Sequence, residues 1–178
     1  IDQTLMNKLL LYLETAQFDS GFINDDMEGE VGFDLHHLDG MPIAYHVFIL
    51  FVLICGLSYV EFSKSNEVIR NKIEKFVNKG LHWMAYAETD DGNFAMAGRS
   101  KYHLFTRGIH CAITAYCGDI PKLNCALQYW RAFLRSDGTY DVTLNHLSHH
   151  LRVGYEKYTR VGMYNLLGLA ALAVSLDF

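Results

Sequence analysis

Hydrophobic residues recur along this chain at intervals of three and four positions, which is the spacing of an amphipathic α-helix. Leu5, Leu9 and Leu13 begin the first such stripe. Side chains suited to capping a helix N-terminus, those of Ser65 and Asp119, come just before two later stripes. The predicted amphipathic helices cover residues 4–16, about 65–87 and 119 to about 136.

Other segments are apolar on nearly all sides. Pro42 suits the first turn of a helix, and residues 43–60 carry no formal charge. Their length meets the criterion for a membrane span, but His46 lies near the start and no Lys or Arg flanks the segment directly. We therefore interpret it as a helix buried within the protein, and no membrane span is favoured. Two more apolar helices are predicted over about 100–117 and 159–176.

A turn containing glycine and an aromatic residue follows each amphipathic helix. The turn glycines are Gly21, Gly92 and Gly138, and an aspartate directly precedes the second and the third. Each turn leads through a polar loop into one of the apolar helices, so the chain reads as three helical hairpins. We predict an all-α fold of about six helices in a single domain over residues 1–178, with the apolar helices as its inner layer.

The composition narrows the range of functions. The chain has 178 residues, of which 51% are hydrophobic and 20% charged, as in ordinary globular domains. Its net charge of -5 and the lack of a basic run argue against nucleic acid as a partner. The four cysteines lie in apolar helical runs without a CxxC pair, and we interpret them as buried core thiols.

Polar residues concentrate in the loops that lead into the apolar helices. If those helices form one layer, their N-termini meet at one end and add partial positive charge that favours an anionic ligand. Eight of the nine histidines fall in or just after these loops: His36, His37, His46, His103, His110, His146, His149 and His150. The same segments contain Arg99, Tyr102, Arg107, Asn145, Arg152, Tyr155, Glu156 and Tyr158.

The densest polar stretch runs from Asn145 to Tyr158. Within it His146 and His150 are four positions apart, a spacing that suits two metal ligands on one helix face. The stretch lacks the glutamate of an HExxH motif, however, and a polar loop that hydrogen-bonds to itself has the same composition. We expect function without a metal or other cofactor; if a divalent metal is bound, His146 and His150 are the candidate ligands.

Two motifs resemble a known family. The Asp-Gly-x-Phe/Tyr turns at residues 91–94 and 137–140, with Gly98-Arg99-Ser100 at the start of an apolar helix, resemble the (α/α) toroid domains of polysaccharide lyases and related heparinase-like glycan-degrading proteins. Glycoside hydrolases and terpene cyclases share such toroids, and a fold alone does not fix a function. The resemblance favours a periplasmic or secreted protein.

A closed toroid needs roughly 300 residues or more on domain-size grounds. The three hairpins of this chain are therefore expected to form about half of a ring. The start of the chain at Ile1 favours a fragment of a longer protein. Either the remainder of the toroid or a second copy of the chain is the expected partner that completes it.

The resemblance implies cleavage of an acidic, uronic-acid polysaccharide by β-elimination. That reaction needs a masked carboxylate and a base that works near neutral pH. The expected catalytic residues are Asn145 or Arg99 to mask the charge, His146 or His149 as the base, and Tyr155 or Tyr158 as the proton donor. The residues expected to bind the oligo- or polysaccharide are Arg99, Tyr102, Arg107, Arg152, Glu156, His36, His37 and Asp39. Hydrolysis by a carboxylate pair and a non-catalytic sugar-binding or interaction module are the alternatives.

Overall fold

The protein is all-α. Its computed structural model describes residues 3–23, 43–59, 67–90, 104–132, 134–138, 170–171 and 173–174. The helices are α1 (Gln3–Ala16), α2 (Ile43–Tyr59), α3 (Glu67–Ala87), α4 (Leu104–Tyr116) and α5 (Ile120–Arg131). Residues 170–171 and 173–174 are also helical and fall within the last predicted helix, the rest of which lies outside the described residues.

Helix α3 shows how the hydrophobic pattern produces packing. Its buried residues are Ile69, Ile73, Val77, Gly80, Met84 and Ala87. They are three or four positions apart and therefore lie on one face of the helix. On the exposed side, Arg70 and Glu74 form an ion pair with 2.9 Å between Nε and Oε1. The predicted division of this helix into an apolar and a charged side is confirmed.

Helix α5 begins at the predicted cap. The carboxylate of Asp119 accepts a hydrogen bond from the backbone N–H of Lys122 at 3.0 Å, which satisfies one of the amides that a helix N-terminus leaves without a helical partner. The helix ends at Arg131, short of the expected position. There the N–H of Leu134 donates to the Arg131 carbonyl, only three residues back, so the chain leaves the helix through a tighter turn.

The helices pack in two layers. α2 packs against α4, α3 packs against both α1 and α2, and α5 packs against α4. Contacts of α1 and of the turn after it advance along α3 in the same direction, since Glu14 of α1 pairs with Lys72 at 3.5 Å and Asp19 of the turn pairs with Lys79 at 3.7 Å. These two outer helices are therefore parallel. The predicted all-α class is confirmed, and the packing of α2 against α4 is consistent with an inner layer, whereas closure into a toroid stays a prediction.

Helix α2 lies at the centre of the core. Val47, Leu50 and Ile54 are completely buried and belong to one hydrophobic cluster with residues of α1, α3 and α4. Burial among other helices therefore explains the apolar character of this side of α2, whereas Val52 on the helix is 51% exposed, so the prediction of a helix buried within the protein holds only in part. Across the described ranges, no helix combines the length and the hydropathy that crossing a membrane requires.

The turn after α1 approaches α3 closely. A backbone bridge between Gln17 and Ile23 closes it. Gly21 has a φ of 99°, and a Cβ atom added there would collide with the backbone carbonyl of Lys79 on α3. Glycine is required here for both reasons, because L-residues disfavour positive φ and because no side chain fits between the turn and the helix.

The same turn position recurs in the other two hairpins. Gln17, Glu88 and Leu134 each form an isolated backbone bridge, and each stands four positions before the turn glycine of its hairpin. Gly138, the third of these glycines, also has a positive φ, of 81°. The repeat inferred from the sequence is therefore present in the backbone of the described turns.

Replacing Gly21 by alanine tests the close approach. Gly21→Ala and Gly138→Ala both place an L-residue at positive φ, which costs about 1–2 kcal/mol. Among the described residues, only the first variant also creates a collision, because a Cβ at Gly138 meets no described atom within 4 Å. We expect Gly21→Ala to lower the free energy of unfolding, measured in urea, by clearly more than Gly138→Ala. Equal losses in the two variants would show that the turn does not depend on this contact.

Candidate functional site

The inner helices begin where the outer helix α3 ends. Ile23, just after the first turn, bonds to His46 near the start of α2, and His46 also reaches the last turns of α3. Glu88, directly after α3, bonds to His110 at the middle of α4. We call this part of the bundle, formed by residues 17–23, His46, Glu88 and His110, the turn end. Both inner helices start there.

His46 joins the first turn to α2 and α3. Its ring is completely buried, and its Nδ1 accepts the backbone N–H of Ile23 at 3.0 Å. Nε2 therefore carries the ring proton and donates it to the carbonyl of Gly80 at 3.1 Å. The ring stacks on Phe22 at 5.4 Å between centroids and meets Trp83 edge-on at 4.6 Å. Burial lowers the pKa of His46 to about 4, although the bond to Gly80 opposes the shift, so the ring is neutral at neutral pH.

Gln17 makes a second connection between the first turn and α3. Its side-chain amide donates to the carbonyl of Gly21 at 3.1 Å and to that of Phe76 on α3 at 2.9 Å. Both N–H groups of the amide thereby meet carbonyl acceptors in a buried site. We call Gln17 and His46 the neutral cluster, because they join the turn, α2 and α3 without a formal charge.

The second hairpin has a charged counterpart. Glu88 accepts a hydrogen bond from His110 Nε2 at 2.8 Å on one oxygen and from Lys122 Nζ at 2.7 Å on the other. The side chains of Glu88 and His110 are 6% and 2% exposed, whereas that of Lys122 is 44% exposed. We call these three residues the charged cluster. It joins the end of α3 to the inner helix α4 and the outer helix α5.

Burial and neighbouring charges determine the ionisation of the charged cluster. Burial alone would raise the pKa of Glu88, but the hydrogen bonds and charges of His110 and Lys122 outweigh it and lower this pKa below its ordinary value. For His110, burial is the main effect and lowers the pKa, and the charges of Arg107 and Lys122 add to it against the opposing carboxylate. The cluster is therefore a carboxylate that holds one ammonium and one neutral imidazole.

Arg107 is a predicted substrate-binding residue that the structure describes. It lies on α4, one turn before His110, and is 1% exposed. Its guanidinium stands over the ring of Tyr129 on α5, at 5.2 Å from the centroid, in a cation–π arrangement. The structure places this side chain in the interior, between α4 and α5. Its contact with a substrate stays a prediction.

The other predicted site residues lie outside the described residues. They are Asn145, His146, His149, Tyr155 and Tyr158 for catalysis, Arg99, Tyr102, Arg152, Glu156, His36, His37 and Asp39 for binding, and His150 as a candidate metal ligand. By sequence, the residues numbered 36–39 precede α2 and those numbered 99–102 precede α4.

The described residues contain no group of three or more His, Cys, Asp or Glu side chains that could hold a metal ion. Among the cysteines, all of which are described and none of which forms a disulfide, Cys111 is buried. Burial raises the pKa of its thiol to about 12, which makes it unreactive. The prediction of buried thiols is correct for Cys111 and wrong for Cys117, which is exposed because it lies just past the end of α4.

Sequence reasoning missed Glu88 and Lys122. In the sequence, Lys122 does not differ from the other charged residues of the amphipathic helix α5. Glu88 does not differ from an ordinary polar residue at the end of a helix. The signal that could have found Glu88 is its register in the repeat, since it occupies the position of Gln17 in the first hairpin. Sequence offers no comparable signal for its partner on another helix.

No model of a known protein family, no curated protein and no solved structure matches the chain. The resemblance to polysaccharide lyases therefore depends on the turn and loop motifs alone. The function has to be inferred from the residues and their geometry.

The neutral cluster predicts that stability falls in acid. The pKa of His46 is about 4 in the folded protein against an ordinary 6.5, so the unfolded chain takes up this proton first. The contribution of His46 to the free energy of unfolding is fully present above pH 6.5. It is lost as the pH falls toward 4, and the total loss is about 3 kcal/mol.

Urea unfolding at several pH values measures this loss. A His46→Gln variant should be less stable at neutral pH and should lose less further stability between pH 6.5 and 4 than the parent chain. His82→Gln, which removes an exposed histidine, is the control and should follow the parent curve. Parallel pH curves for the parent and His46→Gln would contradict a buried, neutral His46.

Proposed function

We propose that the protein cleaves an acidic, uronic-acid polysaccharide by β-elimination at the turn end. The observation that carries the proposal is that α2 and α4, which pack directly against each other, both begin at this end. Each follows a segment whose sequence contains candidate binding residues, numbered 36–39 and 99–102. Two sets of polar residues that are distant in sequence, 36–39 and 99–102, therefore precede two helices that pack against each other.

The charge distribution supports an anionic substrate. A helix N-terminus presents partial positive charge and unpaired backbone amides, and two such termini lie at the turn end. Arg107, in the first turns of α4, is 1% exposed, and its guanidinium lies over the ring of Tyr129. A uronic-acid polymer carries a carboxylate on each acidic sugar, so its charge complements the partial positive charge of the two helix N-termini.

The chemistry of the proposed reaction assigns three tasks. Asn145 or Arg99 masks the substrate carboxylate so that the neighbouring carbon releases its proton. His146 or His149 takes that proton, and Tyr155 or Tyr158 gives one to the glycosidic oxygen as its bond to carbon breaks. The electron pair of the broken C–H bond forms a carbon–carbon double bond beside the carboxylate. These roles come from the resemblance and are part of the proposal.

Glu88 is not suited to act as the general acid of a hydrolase, while hydrolysis by carboxylates outside the described residues stays the alternative. A glycoside hydrolase needs two carboxyl groups on either side of the bond, and the one that acts as acid needs a raised pKa. Glu88, the buried carboxylate of the turn end, has a lowered pKa and donates no proton, because its two oxygens accept from His110 and Lys122. It therefore lacks the properties of a general acid.

The proposal is tested by incubating the protein with a panel of uronic-acid polysaccharides and following the ultraviolet absorbance of the unsaturated product. We expect a rise with at least one acidic polymer and none with its methyl-esterified form or with a neutral polysaccharide. New reducing ends without a rise in absorbance would contradict elimination and show hydrolysis. Retention of the protein by an acidic polysaccharide without any product would contradict catalysis and show a binding module.

Single substitutions then test the residues. His146→Ala, His149→Ala and Tyr155→Phe each remove one candidate for proton transfer, a role that contributes roughly 100-fold to 10,000-fold to a rate. We expect at least one of the three variants to lose that much of its kcat. His82→Ala, on the exposed side of α3, is the control. Full turnover in all three variants would remove this cluster from catalysis.

A further inference from the structure

We propose that two copies of the chain associate head to tail, with Leu134 of one copy packed against Leu5 of the next. These two leucines occupy the positions at which one hairpin is joined to the following hairpin inside the chain. The proposal concerns assembly, goes beyond the proposed function and does not depend on it.

Two positions in the repeat define the joint between hairpins. The exit position lies four residues before the turn glycine of a hairpin, and the entry position lies sixteen residues before it, on the outer helix. The exit residues of the three hairpins, in chain order, are Gln17, Glu88 and Leu134. The entry residues, in the same order, are Leu5, Phe76 and Lys122.

The exit residues of the first two hairpins each bond to the entry residue of the next hairpin. Gln17 donates from its side-chain amide to the backbone carbonyl of Phe76 at 2.9 Å. Glu88 accepts from the ammonium group of Lys122 at 2.7 Å. One joint uses a side chain and a backbone group, whereas the other uses an ion pair. The packing of consecutive hairpins, and not one type of bond, therefore brings the exit and entry positions together.

An aromatic residue marks the entry side of each outer helix. The three residues that lie nine positions before a turn glycine are Tyr12, Trp83 and Tyr129. Trp83 packs against Phe22 of the first hairpin, with 4.7 Å between the ring centroids. Tyr129 lies under the guanidinium of Arg107, which belongs to the second hairpin. In both cases the aromatic ring contacts the hairpin before its own. Helix α1 therefore has the same pattern that receives a preceding hairpin on α3 and α5.

Within these 178 residues, no hairpin precedes the first or follows the third, and both open positions of the joint are leucines. Leu5, the first entry residue, is 63% exposed, and Leu134, the last exit residue, is 45% exposed. Because both are exposed, they do not cover each other within one chain. A leucine cannot form the bonds of Gln17 or Glu88, but its burial against another leucine removes apolar surface from water. The open exit residue is therefore complementary to the open entry residue of a second copy.

A second copy offers both open surfaces at once. A contact of this kind joins two different surfaces, so it can be repeated at the other end of the pair and close into a ring. Two copies supply six hairpins, in agreement with the expectation that one chain forms about half of a toroid. The second contact of a closed pair is intramolecular, which strengthens the association. We therefore expect a dimer.

Sedimentation equilibrium over a range of protein concentrations measures this association. We expect the average mass to rise from that of one chain to that of two. Leu5→Glu and Leu134→Glu should each raise the dissociation constant at least roughly tenfold, because each places a charge where a leucine side chain becomes buried. Circular dichroism checks that the helices form in each variant, as the exposure of both leucines leads us to expect.

Leu11→Glu is the matched control. Leu11 lies on the same helix as Leu5 and is equally exposed, at 63%. Its place in the repeat is that of His82 on α3, which stays exposed although a hairpin precedes it. The dissociation constant of Leu11→Glu should therefore equal that of the parent chain.

A pair of introduced charges tests the contact directly. The double variant Leu5→Lys/Leu134→Glu places at the joint the same charges that Lys122 and Glu88 bring together inside the chain. It should associate more tightly than Leu5→Lys or Leu134→Glu alone, and added salt should reduce the gain. Leu5→Lys/Leu134→Lys, which brings like charges together, should not associate.

Three results would overturn the proposal. The first is the mass of a single chain at every concentration. The second is association that Leu5→Glu and Leu134→Glu leave unchanged, or that Leu11→Glu weakens equally, since the contact would then lie elsewhere. The third is association that only one of the two substitutions weakens, which would mean a contact between like surfaces and not a head-to-tail one.

Discussion

The packing of the helices depends on the hydrogen bonds that polar groups form where an outer helix ends inside the bundle. A buried backbone amide or carboxylate without a hydrogen-bond partner costs a large part of a small protein's stability. At the end of α1, a neutral histidine and an amide meet backbone groups. At the end of α3, a carboxylate meets an ammonium and an imidazole. Both inner helices are thereby held at the same end of the bundle.

These two solutions respond differently to their surroundings. The neutral cluster contains no ionised side chain, and its hydrogen bond from Ile23 is lost when His46 takes up a proton. The charged cluster depends on an ionised Glu88, and breaking a buried ion pair by removing one partner is more costly than removing an exposed one. Burial is the main cause of the lowered pKa of His110 and the charge of Arg107 adds to it, so the neutral ring carries its proton on Nε2 and donates it to Glu88. Interior electrostatics and the geometry of the candidate site are therefore linked.

The sequence predicted the helices because their causes are local. The apolar stripe of α3 and the Asp119 cap of α5 require only neighbours along the chain, and both were found as expected. The contacts of Glu88 were not predicted, since its partners lie 22 and 34 residues away and depend on which helices pack together. The exposure of Cys117 was missed for a related reason, namely that a shift of one residue past a helix end moves a side chain from the core to the surface.

The central claim is that the histidines of α2 and α4 connect the hairpins as neutral rings that donate from Nε2. The most direct measurement is the ¹⁵N chemical shifts of the imidazole nitrogens of His46 and His110 at neutral pH. Our account predicts that both rings are neutral and carry their proton on Nε2, with the assignment lost for His46 in His46→Gln. A proton on Nδ1 of His46 would be incompatible with the bond from the N–H of Ile23, and a protonated His110 would contradict the neutral imidazole of the charged cluster; either result would contradict the account.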